Sequence, residues 1–375
     1  MAWITKRGSS WQYVVRYKDE NGKYQRIPRS GFARKKDAQD AAAELERQIK
    51  EGGVVDKQPT LIEYYNHWLK TYKLGKHSKI TEQRYTSFRK HLEGYFGLDR
   101  KLKDIKRSDW QKFINFFGTN HTKETVGKLN GYVRDMAASA VADRLIYFDF
   151  TQGAEMVGTK GRSDGLKYLE TEDYKKLKDY VLKNSSLNKI FCYMIATGIL
   201  TGARISEVMA LTWKDIDFKK QTISINKSWD YVYTHTFKDT KNPSSVRTIK
   251  IDKDLTELLL QLKKEQNQYF KKIGRPTSIN ELIFLNKDLT LISYNAINKD
   301  LQNIEKRLNI KPLITFHGLR HTHASFLIFK GIDIVYISHR LGHANISVTL
   351  KTYAHLLKDH EEQEENKTIE FLETM

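Results

Sequence analysis

The hydrophobic periodicity of this chain changes twice, and no single layer of secondary structure accommodates all three patterns. From Trp11 to Tyr17 large apolar residues alternate with others, the period of a half-buried strand. Asn21-Gly22 then offers a type I′ turn before Tyr24-Gln-Arg-Ile27, which predicts a hairpin. Ala38, Ala41, Ala42, Leu45 and Ile49 follow at helical spacing and stop at Gly52-Gly53. From Thr60-Leu-Ile-Glu63, a capping box, the period is helical throughout. Its apolar stripes are Leu61, Tyr64, Tyr65, Trp68, Leu69 and Tyr72; then Tyr85, Phe88, Leu92 and Tyr95; then Trp110, Phe113 and Phe117; then Val126, Leu129, Val133, Met136 and Ala140. Such aromatic stripes read as core rather than as base-stacking platforms.

Gly153, Gly158, Gly161 and Gly165 punctuate a stretch without long apolar periods, read as a linker. Beyond Tyr168 the pattern is mixed, with helices near 171–183, 187–201, 204–211, 253–272 and 293–309. Strands are expected near 221–227, 231–237 and 246–251, and a short one at Leu282-Ile-Phe-Leu285. The prediction is a multidomain α+β chain: a small β-rich domain (1–55), a helical domain (59–150), a linker (151–166), a mixed, mainly helical domain with a small antiparallel sheet (167–353), and a tail (354–375).

Charge narrows the function. The 375 residues carry 64 Lys and Arg against 45 Asp and Glu, a net +19. Residues 1–58, 59–160 and 161–353 are all basic, at net +5, +7 and +12, whereas 354–375 carry net −5. Three consecutive basic segments point to a polyanion, nucleic acid first. The predicted hairpin carries Arg16, Lys18, Lys23, Arg26 and Arg29, which suits a β-ribbon entering a DNA groove. Mean hydropathy is −0.61, and the longest apolar stretch, Ile190 to Leu200, is interrupted and too short to span a bilayer. Met1 to Val15 has no continuous apolar core of a signal peptide. The single cysteine, Cys192, permits no internal disulfide and reads as a buried thiol.

Four motifs in the last domain belong together: Thr201-Gly-Ala-Arg204-Ile-Ser-Glu207; Lys241-Asn-Pro-Ser-Ser-Val-Arg247-Thr-Ile; His317-Gly-Leu-Arg320-His-Thr-His323; and Leu341-Gly-His343, followed ten residues on by Tyr353. Gly202 permits a tight turn that leaves Arg204 at a helix start, where backbone N–H groups and a guanidinium converge on one phosphate. A helix beginning near His317 places it on one face with Arg320.

In these boxes and their order the chain resembles the tyrosine recombinase (phage integrase) family, and its first segments are similar to the arm-binding and core-binding domains of lambda-type and conjugative-transposon integrases. The resemblance implies Arg204, Lys241, His317, Arg320, His343 and Tyr353 as catalytic residues. It further implies cleavage and rejoining of DNA through a 3′-phosphotyrosine and a Holliday junction, with no cofactor and no metal. The chemistry agrees: without a metal, two permanently charged arginines, Arg204 and Arg320, can stabilise the five-coordinate transition state. Tyr353 is the nucleophile, His317 a base or phosphate ligand, His343 a hydrogen-bond donor and Lys241 the general acid. Lys238 is the alternative to Lys241. Glu207 reads as a partner orienting a basic residue, and His321 and His323 as packing or capping groups. Expected partners are double-stranded DNA at core-type and arm-type attachment sites, three further copies in a homotetramer, an excisionase and a host DNA-bending protein, with no membrane. The expected location is the cytoplasm of a bacterial host, on the nucleoid. The acidic tail is expected to pack on a neighbouring protomer.

Histidines 317, 321, 323, 339, 343 and 355 raise a zinc reading, but no H-E-x-x-H motif or cysteine pair supports it. Two other functions stay open at this point, an inert sequence-specific DNA-binding architectural protein and a chromosome-resolving recombinase.

Overall fold

The computed structural model describes residues 2–18, 23–50, 58–161, 167–240, 242–275, 281–358, 369 and 372–373. The Asn21-Gly22 turn, the Gly52-Gly53 stop, Lys241 and most of the acidic tail lie outside the described residues. The chain divides into two compact units, 1–164 and 165–375.

The first unit opens with an antiparallel sheet of β1 (Ala2–Arg7), β2 (Ser10–Lys18) and β3 (Tyr24–Phe32) in that order. Alternation sends Tyr13, Val15 and Ile27 to one face, where α1 (Lys35–Lys50) covers them with Ala38 and Ala42. The opposite face is aromatic and basic. Trp3 and Tyr24 are 60% and 67% exposed, and the Arg16 guanidinium lies between them, 5.7 and 6.0 Å from their ring centres. Trp11 opposes Phe32 while Gln12 opposes Ser30, so Gly31, at φ +98°, is the extra residue of a bulge.

Four helices follow: α2 (Leu61–Trp68), α3 (Lys79–Phe96), α4 (Arg107–Gly118) and α5 (Lys123–Ala142). Thr60 and Glu63 form the expected capping box: the Thr60 backbone N–H donates to Glu63 Oε2 at 2.8 Å, and the Glu63 N–H to Thr60 Oγ1 at 3.2 Å. Most of the aromatic stripe residues form the core, with Trp68, Trp110, Tyr65 and Phe113 fully buried, but Tyr72 and Tyr95, at the ends of their stripes, are exposed. Trp110 satisfies its indole N–H on buried Asn130, at 2.8 Å. Part of the glycine-punctuated stretch lies on these helices rather than free of them. Glu155 and Gln111 exchange two hydrogen bonds, and the Thr159 N–H donates to His121 O. A Cβ on Gly158 would fall 2.4 Å from the Lys123 nitrogen, so only glycine allows that approach.

The second unit is built around α7 (Ile190–Thr201), which is apolar on every side and buried from Cys192 onward. The Cys192 thiol is buried as expected, which pushes its pKa up to about 12. Around α7 pack α6 (Thr171–Asn184), α8 (Ile205–Met209), α9 (Lys253–Lys272), α10 (Tyr294–Arg307) and α11 (Phe316–Phe329). A small antiparallel sheet joins β4 (Ile216–Asp217), β5 (Thr222–Ile225) and β8 (Arg247–Lys250), and β6 (Ser228–Trp229) pairs with β7 (Phe237–Lys238).

Two strand expectations are corrected. Residues 231–236 are not a strand, because the Asp230 carboxylate accepts the Val232 and Tyr233 N–H groups and folds the chain into a turn. Leu282–Leu285 makes only isolated bridges, to Thr212 and Leu291. Finally α12 (Ile334–Leu341) and α13 (Ile346–Lys358) pack on α11, and Ala324, Ile328, Ile337, Leu341 and Tyr353 form a satellite core. No helix among the described residues is long and apolar enough to cross a membrane.

Candidate active site

Arg320 is the centre of the arrangement. Its side chain is buried in α11, and its guanidinium donates to Gly202 O at 2.9 Å and Leu341 O at 2.7 Å. These carbonyls stand where α7 and α12 end, each helix closed by a glycine in the left-handed region, Gly202 at φ +69° and Gly342 at φ +69°. Helix C-termini leave carbonyls without helical partners and carry partial negative charge, so one cation satisfies two helix ends. Burial, then the charge of Arg204, pushes the Arg320 pKa down to about 9, still well above neutrality.

Arg204 precedes α8 and is partly open to solvent, unlike Arg320. Its backbone N–H donates to Glu207 Oε2 at 2.9 Å and its Nη1 to Glu207 Oε1 at 2.7 Å. The anticipated phosphate cradle of backbone N–H groups at this helix start is thus corrected, since the Glu207 carboxylate takes the Arg204 N–H and α8 has only five residues. Glu207 is the orienting partner the sequence suggested.

His317 lies in the first turn of α11, which begins after Thr315 with the Phe316 N–H donating to Asn298 Oδ1 at 2.8 Å. The His317 ring meets that of His321 edge-on, centres 4.8 Å apart. His321 in turn shares a hydrogen bond with Tyr353, Nδ1 to Oη, at 3.0 Å. The reading of His321 as a packing group is corrected here: of the two histidines, it is His321 whose ring bonds the Tyr353 hydroxyl. Sequence signals did exist, the i, i+4 spacing from His317 and the place next to Arg320. Tyr353 is fully buried, and this desolvation raises its pKa against the lowering influence of Arg320.

His343 Nδ1 is 2.7 Å from Oγ1 of buried Thr349. Burial, then the charges of Arg320, Arg204 and Arg247, pushes its pKa down to about 4, so it is a neutral imidazole at pH 7. Burial and the neighbouring His317 and Arg320 likewise bring His321 to about 4. His323 does cap: its Nδ1 bonds Ile199 O at 2.9 Å and its Nε2 accepts from Arg340 Nε at 3.0 Å, which fixes the Nδ1–H tautomer. Lys241 lies outside the described residues, whereas Lys238 in β7 forms an ion pair with Asp230 at 3.9 Å. Among the described residues no three His, Cys, Asp or Glu side chains gather where they could hold a metal ion.

A three-stranded sheet, a helical domain, and a mainly helical domain with an arginine, histidine and tyrosine cluster define the architecture of a tyrosine recombinase. The chain belongs to the phage integrase family, whose model matches residues 167–360; an arm DNA-binding domain matches residues 3–49 and an N-terminal SAM-like domain of phage integrases residues 60–118. It is an enzyme of DNA cleavage and religation, a site-specific recombinase of a mobile element. Among curated relatives, the ICEBs1 integrase of Bacillus subtilis (strain 168) is 26% identical over 376 residues, covering 94% of this chain and 98% of that one. The transposase from transposon Tn916 of Enterococcus faecalis is 26% identical over 343 residues, covering 84% and 79%. Among solved structures, a Tn1549 transposon integrase in complex with transposon right end DNA superposes with a TM-score of 0.67 at 19% identity, covering 82% of this chain and 99% of that one. A lambda integrase dimer bound to a COC′ core site gives 0.58 at 16%, covering 93% of each. These two likenesses carry the fold.

Proposed function

We propose that this recombinase cuts each strand of a core-type DNA site through Tyr353, with Arg204 and Arg320 holding the non-bridging oxygens of the scissile phosphate. The observation that carries the reading is Arg320, a buried permanent cation pinned between two helix ends and within electrostatic reach of Arg204, His343 and Tyr353. Two bonds to carbonyls use one hydrogen on each Nη, and a guanidinium has five N–H groups, so donors remain for a phosphate. Preorganised positive charge of this kind stabilises the charge that develops on a five-coordinate phosphorus. The tautomer this reading requires has Thr349 Oγ1 donating to Nδ1, so that neutral His343 carries its proton on Nε2 and donates it as a hydrogen bond. His317 acts as a phosphate ligand beside the two arginines. Lys241 protonates the leaving 5′-oxygen. Tyr353 Oη becomes bonded to phosphorus as the P–O5′ bond breaks, and the 3′-phosphotyrosine keeps the bond energy for rejoining through a Holliday junction.

The aromatic and basic face of β1–β3 suits arm-type DNA, in the domain placed at 1–55, with core-type DNA taken by the helical domain (59–150) and the catalytic domain (167–353). A homotetramer on DNA, an excisionase and a host DNA-bending protein complete the reaction, with the tail (354–375) packing between protomers. The protein works on the nucleoid of a bacterial cytoplasm. The test is a nicked core duplex incubated with the protein and with Tyr353→Phe. The variant should bind the duplex and form no covalent adduct; an adduct equal to wild type overturns the assignment.

A further inference from the structure

We propose that Arg247 is a positioning residue for strand cleavage: it neutralises Glu207, so that Arg204 keeps its positive charge for the scissile phosphate. The proposal rests on the reading of Arg204 as a phosphate ligand.

Arg247 opens β8, and three of its N–H groups have protein partners. Nε donates to Arg340 O at 2.7 Å, Nη1 to Ser245 O at 2.8 Å and Nη2 to Glu207 Oε2 at 3.0 Å. Its side chain is 7% exposed, against 29% for Arg204. Of the two cations on the Glu207 carboxylate, one is therefore turned into the protein and the other toward solvent. Glu207 itself is 2% exposed, so its charge is compensated by these two arginines rather than by water. Burial by itself would raise its pKa, but the charge and hydrogen bond of Arg247, ahead of those of Arg204, hold it below the usual carboxylate range.

The charge count decides the consequence. Arg204, Arg247 and Glu207 sum to one positive charge. Without Arg247, Arg204 and Glu207 sum to zero, and the guanidinium meant for phosphate is held by a carboxylate as an internal pair. Arg247 also ties this triad to the Leu341-Gly-His343 box. A Cβ on Gly342 would lie 2.9 Å from Arg247 Nη1 and 3.1 Å from Ser245 Cα, so the backbone beside His343 closes directly on this side chain.

The experiment uses the full chain and a core duplex selected from random-sequence DNA on the Tyr353→Phe protein, then nicked to trap the adduct. Arg247→Met should slow adduct formation at saturating protein by about 10²-fold, as loss of one preorganised charge does, with DNA affinity little changed. Glu207→Gln added to Arg247→Met removes the uncompensated carboxylate and should restore most of the rate. Arg247→Lys, which keeps the charge with fewer bonds, should fall between wild type and Arg247→Met, and it carries the test with the double variant if Arg247→Met does not fold. A wild-type rate in Arg247→Met overturns the proposal. So does a double variant as slow as Arg247→Met while both melt with the wild type, because Arg247 is then only a strut. A wild-type rate of adduct formation in Arg204→Met would instead remove the reading of Arg204 as a phosphate ligand on which the proposal rests.

Discussion

Tyr353 and His321 share a hydrogen bond of 3.0 Å in a place where only 1% of the tyrosine surface meets solvent. The pair is not an acid–base couple in this arrangement. His321 has been pushed down to about 4, and the phenol has been raised above its ordinary value of 10. Both shifts make proton transfer from the phenol to His321 uphill. Burial therefore keeps the hydroxyl un-ionised, and on the proposed reading Tyr353 has to be uncovered before a DNA phosphate can reach it.

The hydrogen bond between them is measurable as stability. His321→Leu leaves the buried Tyr353 hydroxyl without this hydrogen-bond partner, which should cost about 1–3 kcal/mol in urea unfolding. Adding Tyr353→Phe should recover part of the loss, since two apolar partners leave nothing unsatisfied. Additive losses in the double variant would show that the two side chains are not coupled.

Gly202→Ala should be more damaging than a surface substitution. The residue sits at φ +69°, and a Cβ there would lie 2.8 Å from Leu341 Cδ2 and 2.9 Å from His323 Cδ2. Its carbonyl is one of the two that hold Arg320. Expected outcomes are a loss of about 1–3 kcal/mol of stability and slower adduct formation. A variant with wild-type melting and cleavage would remove Gly202 from the account of Arg320.

Protonation gives two opposite signatures. The folded pKa values of His321 and His343, both about 4, lie below the 6.5 of an unfolded histidine, so the unfolded chain binds more protons and stability falls as pH drops from 6.5 toward 4. Buried Glu305 has the reverse sign. Its carboxyl accepts the Ile314 N–H, but burial dominates and raises it to about 8, so its contribution is present below 4.5 and is lost as pH rises through 8. Glu305→Gln should thus gain on wild type as pH goes from 4.5 to 8, by a difference on the order of a few kcal/mol. Urea titrations at both ends check it, and a pH-independent difference would count against a neutral Glu305. In NMR titrations the ring protons of His321 and His343 should not shift between pH 5.5 and 8.

The arm sheet should act separately from the chemistry. Trp3→Ala with Arg16→Ala strips the exposed face of β1–β3 without touching Tyr13, Val15 or Ile27 beneath it. Arm-type DNA binding should fall and lose part of its salt dependence, as counterion release requires, while cleavage of a core duplex stays at the wild-type rate. Unchanged footprints on arm-type DNA would move the interface to another face.

What the sequence determined by itself is local. The capping box at Thr60 and Glu63, the alternation of Tyr13 and Val15, the helical aromatic stripes and the buried run around Cys192 all depend on neighbours within a few residues, and each was legible for that reason. The boxes containing Arg204, Arg320, His343 and Tyr353 stood in the sequence as ordered motifs, and the roles expected of them came from the resemblance to a family. Their partners were not legible, because those contacts join residues far apart in the chain. Arg320 closes on Gly202 O across 118 positions, Arg247 reaches Arg340 O across 93, and His321 meets Tyr353 across 32. Residues 231–236 failed as a strand for a related reason, since one carboxylate, Asp230, took the N–H groups that a ladder needs. Periodicity records which face of an element is apolar, while hydrogen bonds between elements depend on how those faces pack, and packing places the buried arginines, the neutral histidines and the covered tyrosine.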